Sequence, residues 1–200
     1  AVVGPRRTVG MDVVRTSRPP SRLEGGGFMI KDILAAFSMK ELDPFLLWHE
    51  LPKKEHQRGS FPGGPMHPHR GFMECPYTKL MTSSDGRSMS TLTKNRVKAG
   101  GVEHKLSPEP GTFELGKVGV GMEHEMLIDE SWSGSLHAFQ LWVNLPNANK
   151  FDAPYFQNAA PSALPSVTLD GGATAKLGAT RPRVERRLAD RVRRRRLAVR

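Results

Sequence analysis

A single cysteine, Cys75, is present in 200 residues, so no internal disulfide can form, and a reducing compartment is expected. No apolar run approaches the ~18 residues of a membrane-spanning helix. The arginine-bearing stretch over residues 1–22 has no apolar core of the signal-peptide kind. A cytoplasmic or nuclear location without a membrane partner is therefore expected. Internal repeats are lacking, as is any amphipathic helical period before residue 180. The formal charge of +10 is not a property of the whole chain. From Lys176 onward there are eleven basic residues against Glu185 and Asp190, leaving nineteen basic and eighteen acidic residues before them. The body is thus nearly neutral, which speaks against direct nucleic-acid binding by the folded part.

Plentiful glycine and proline, 20 and 16 residues, indicate a turn-rich chain. Short apolar segments separated by turn signals every eight to twelve residues predict an all-β sandwich or barrel. Strands are expected around residues 28–37, 42–48, 67–81, 87–97, 102–106, 115–126 and 136–143. Residues 53–60 read as a polar loop. Ser83, Ser84, Asp85 and Gly86 read as a hairpin turn. Residues 1–23 read as a flexible leader. Residues 178–200 form an arginine-rich tail, disordered or a frayed helix, because Val184, Leu188 and Val192 are too few to dock it. That tail could attract polyanions or act as a nuclear address.

The chemistry centres on His67 and His69, which follow a turn made by Gly63, Gly64 and Pro65. Alternate strand residues share a face, so two imidazoles converge there, the first half of a metal site. His124 follows Gly119 and Gly121. His49 and His56 flank the polar loop and are expected to face solvent. His104 lacks the glycine context of His124. His137 shares parity with Phe139, Leu141 and Val143 and reads as a hydrogen-bonded core residue. Cys75 reads as a small buried residue.

Three stretches resemble the pirin family: residues 67–72 (His-Pro-His-Arg-Gly-Phe), residues 136–146 (Leu136 to Pro146, containing Gln140 and Trp142), and residues 42–47. The resemblance implies a cupin-type β-barrel over residues 24–157. It also implies a two-barrel architecture, of which residues 158–177 would be the linker and remnant of a truncated second cupin domain. By the same resemblance His67, His69 and His124 are metal ligands and the metal is Fe(II), although zinc, copper or manganese would also accept such a set. Family members include quercetin 2,3-dioxygenases, which use a flavonol and O2, and nuclear iron-dependent protein partners of transcription factors. Enzyme and non-enzymatic binding protein therefore both stand as readings.

One position departs from the family. Where its second metal-binding stretch places a glutamate two residues after the histidine, this chain has Met126. A thioether is a poor iron ligand. Glu125 points away from His124 in a regular strand and could enter only through a bulge. Glu74, which follows His69 with four residues between, is the alternative, and water is a third. Glu125 and Glu74 are also the candidates to accept a substrate proton.

Overall fold

A computed structural model describes residues 16–106, 109–168, 172 and 174–176. The N-terminal part of the expected leader and the arginine-rich tail lie outside the described residues.

In chain order the strands are β1 (Ser21–Glu24), β2 (Phe28–Asp32), β3 (Phe45–His56), β4 (Gly64–His69), β5 (Phe72–Met81), β6 (Asn95–Ala99), β7 (Val102–Leu106), β8 (Phe113–Lys117), β9 (Met122–Met126), β10 (Gly134–Asn144), β11 (Tyr155–Ala159), β12 (Ser166–Thr168) and β13 (Thr174–Lys176). One-turn helices α1 (Met39–Leu42) and α2 (Met89–Leu92) are the only α-helices among the described residues, and none is long and apolar enough to cross a membrane. The all-β expectation therefore holds. A seven-stranded sheet runs β1-β2-β3-β10-β5-β8-β11, and a four-stranded sheet runs β4-β9-β6-β7. The pairings within both are antiparallel.

The centre of the larger sheet is β10, paired on both edges, with β3 and β5. Its apolar run suits a strand with neighbours on either side. The expected polar loop over residues 53–60 begins too early. Lys54, Glu55 and His56 continue β3 by pairing with Leu136, Ser135 and Gly134. Backbone pairing to a central strand outweighs the polar side chains, which Lys53, Lys54 and Glu55 hold in solvent. His49 and His56 consequently lie on a well-covered strand and are 5 % and 8 % exposed, a correction to the expected solvent-facing placement. His49 lies among Arg22, Glu24 and Asp32, whereas His56 packs on Phe61 and Trp132.

Two further expectations change. Ser21 to Glu24, at the end of the predicted leader, form β1 against β2. The segment 83–86 turns but makes no hairpin. Asp85 accepts hydrogen bonds from Ser83 Oγ and from the backbone N–H of Arg87, and Ser88 then caps α2. The chain thereby leaves β5 of one sheet and enters β6 of the other.

Two apolar clusters close the barrel. Met81, Met89, Leu92, Trp132 and Leu136 form one, and Val97, Ala99, Leu106, Val118 and Met122 form the other. Trp132 is 1 % exposed, and its indole N–H donates to the Thr82 carbonyl at 3.1 Å. That carbonyl also explains Gly134, since a Cβ there would lie 1.9 Å from it. Between the sheets lies a cavity of about 560 Å³, bordered on one side by Leu106 of the second cluster.

Candidate metal centre

His67 and His69 stand on β4, and His124 stands on β9 directly opposite His67. The glycines ahead of His124 have a structural cause. Gly119 has φ +52°, and a Cβ there would lie 2.1 Å from the Asp152 carbonyl oxygen. Only glycine lets the backbone pass so close. The carbonyl of Gly119 accepts a hydrogen bond from Gly71 N at 2.8 Å, tying this loop to the end of β4. A register shift between Gly64 and His67 lies in the β4–β9 ladder.

The three rings converge. His124 Nε2 is 2.9 Å from His67 Nε2 and 3.0 Å from His69 Nε2. One ligand atom from each of the three residues lies within 4.8 Å of the others. His67 Nδ1 donates to the Pro65 carbonyl at 2.6 Å. A carbonyl can only accept, so in the neutral ring the lone pair is on Nε2, which faces the other imidazoles. Burial first, and then the neighbouring imidazoles, hold His69 down to about 4 and His124 down to about 3. Both are neutral near pH 7 and so able to donate lone pairs.

The two candidate carboxylates part company. Glu74, 2 % exposed, comes from β5 across the cavity, with Oε1 at 3.4 Å from His124 Nε2 and 3.6 Å from His69 Nε2. Burial pushes its carboxyl up to about 7, while Gln140 and Trp142 draw it down. Glu125 lies on the other face of β9, where it pairs with Arg96 Nε. His124, Glu125 and Met126 all border the cavity, but the Glu125 carboxylate is turned to Arg96. Of the two glutamates left open by the sequence, the fold thus brings Glu74 to the histidines.

The other histidines have their own partners. His137 Nε2 is 2.9 Å from Glu50 Oε1, and His104 packs against the Phe156 ring. Cys75 is buried, and burial raises its thiol to about 11, so it is unreactive at neutral pH. A larger groove of about 690 Å³ is open to solvent beside Pro68, Arg70 and Lys98, but includes none of His67, His124 or Glu74. The cavity between the sheets borders all four groups and is otherwise walled largely by apolar side chains, Phe28, Ile30, Leu47 and Phe139 among them.

No protein-family model matches the chain. Pirin of Mus musculus is 34% identical over 150 residues, covering 74% of this chain and 44% of its own length. A pirin-like protein of Caulobacter vibrioides is 31% identical over 160 residues, covering 78% of this chain and 52% of its own. The chain belongs to the pirin family. It spans about half the length of these pirin relatives. A crystal structure of quercetin 2,3-dioxygenase from Acinetobacter baumannii shares the fold, with a TM-score of 0.60 at 22% identity, over 81% of this chain and 54% of that one.

Two residues around this pirin site escaped the sequence reading as site residues. Gln140 donates to Glu74 Oε1, and Trp142 packs edge-on to His69 with ring centroids 5.3 Å apart. The available signal was Gln140 itself, a lone amide in an apolar strand, two residues from Trp142 and so on the same face.

Proposed function

We propose that this pirin chain binds one transition-metal ion through His67, His69 and His124, with Glu74 as the carboxylate, and carries out dioxygenase chemistry on a flavonol-like substrate. The observation that carries the reading is the convergence of three imidazole nitrogens and one buried carboxylate on a single cavity. Nitrogens bound ~2.0–2.1 Å from one ion stand roughly 3 Å apart at neighbouring coordination positions, which the observed separations match. A mixed nitrogen and oxygen set suits Fe(II) and leaves room for an exogenous oxygen donor. When bound, such an ion would supply Lewis acidity and access to O2.

The residues of the chain do the rest. Glu74 offers one oxygen to the ion and can take the hydroxyl proton that an entering flavonol must lose. Phe28, Ile30, Leu47 and Phe139 give a flat apolar substrate a water-poor seat in a cavity of ordinary ligand-binding size. This cavity favours a small-molecule substrate over a protein surface as the partner.

The test is anaerobic loading with Fe(II), metal quantification, and oxygen uptake with quercetin. Stoichiometric iron with quercetin-dependent uptake that is lost in Glu74→Gln is expected. Stoichiometric iron without uptake would leave the metal site standing and overturn the dioxygenase assignment.

A further inference from the structure

Glu74 is almost inaccessible, yet only one of its oxygens has a donor. Gln140 Nε2 donates to Oε1. Oε2 is buried without a hydrogen-bond partner, and so is the indole Nε1 of Trp142. These two groups are neighbours, because Glu74 and Trp142 are direct cross-strand partners on β5 and β10. An unmatched buried donor beside an unmatched buried acceptor is a costly arrangement unless another state resolves it. Trp142 also touches the histidine side. Its ring lies edge-on to His69 and stacks on Phe72 with centroids 4.4 Å apart, which fixes the plane of the indole.

We infer that Gln140 and Trp142 are positioning residues for metal capture: Gln140 aims Glu74 Oε1 at the histidine nitrogens, and the Trp142 N–H closes on Oε2 when a cation arrives. The inference rests on the proposed histidine site and deepens it. Among the described residues the Glu74 carboxylate has no lysine or arginine partner, so the two β10 side chains set its direction before the metal binds. Outer partners of this kind typically tune metal affinity by roughly 10–100-fold.

The experiment uses the full chain, ¹⁵N-labelled, with Zn(II) as a closed-shell probe. The chain has three tryptophans, so three indole N–H signals are available. Trp132 already donates to the Thr82 carbonyl, and Trp48 is 40% exposed. On zinc addition one signal, identified by its loss in Trp142→Phe, should move downfield while the other two stay. In Glu74→Gln the shift should vanish. By chelator competition, Trp142→Phe and Gln140→Leu should each weaken zinc binding about tenfold, and Trp48→Phe should not. Trp142→Phe keeps a ring against His69, so its loss reports the N–H alone, and unchanged backbone amide signals verify its fold. Should that variant misfold, Gln140→Leu and the wild-type indole shift decide the matter. Zinc bound stoichiometrically with an unmoved Trp142 signal, or with wild-type affinity in both variants, would overturn the clamp and spare the site. A wild-type chain that binds no zinc would overturn both.

Discussion

The two faces of β9 use the same kind of group for opposite ends. On the cavity face, His124 meets His67, His69 and Glu74 with no fixed positive charge among them. On the other face, Glu125 is 7 % exposed and is engaged by Arg96, which also reaches Glu103 at 3.6 Å. Both glutamates are buried and only one is neutralised. The contrast lies in their partners: Glu125 has a cation of its own in Arg96, whereas Glu74 faces imidazole nitrogens. The histidines divide in the same way. His49 has Glu24, Asp32 and Arg22, and His137 has Glu50, whereas the three β4 and β9 imidazoles have mainly one another.

The contrast breaks most completely if the cavity face is emptied. The double variant His67→Ala/His69→Ala should lose all stoichiometric metal, read by elemental analysis after desalting, because two of three imidazoles go. Removing a structural histidine, as in His137→Ala, should leave the stoichiometry at one. Metal retained by the double variant would refute the site.

Exchange of the carboxylates comes next. Glu74→Gln should weaken zinc binding by more than the roughly 10–100-fold expected for an outer partner. Glu125→Gln should leave affinity alone and lower the thermal midpoint slightly, since only the ion pair with Arg96 is lost. Equal effects on affinity would erase the distinction drawn between the two faces.

A pH titration sharpens it further. His56 is held below its ordinary value of 6.5 by burial and then by Lys54. The unfolded chain therefore takes up a proton more readily than the folded one. Stability is retained above 6.5 and falls as pH drops from there toward the lowered native value. His56→Phe, which keeps a ring against Phe61 and Trp132, should flatten the dependence of the metal-free thermal midpoint on pH below 6.5. An unaltered slope would mean that His56 takes no part in the acid response.

The smallest effect is expected at the family departure. Met126→Glu places a carboxylate on the cavity face, but Glu74 already stands at the histidines. Zinc affinity should rise by less than about tenfold, a gain below roughly 1.4 kcal/mol. A larger gain would show that Glu74 leaves the position unfilled.

Much of this was legible in the chain. Alternation put His67 and His69 on one face, and the resemblance of Gly119, Gly121 and His124 to the pirin family's second metal-binding stretch supplied the third histidine. The preference for Glu74 was not, because it depends on β5 returning across the cavity in a different sheet from β4. His49 and His56 were misjudged because the charges at Lys53, Lys54 and Glu55 disguise the end of a central strand. The turn at residues 83–86 was recognised, yet its destination depended on Ser88 starting a helix instead of a returning strand.

The clearance at Gly119 carries a consequence for mutational tolerance. Residue 119 touches no metal donor, yet any side chain there would strike the Asp152 carbonyl and push the approach to His124 out of line. A saturation scan scored on metal retention would therefore return position 119 as intolerant, while its cause lies in the separate loop before β11. Substitutions in that loop able to draw the carbonyl back would appear as its suppressors, revealing a coupling between two loops that neither one displays alone.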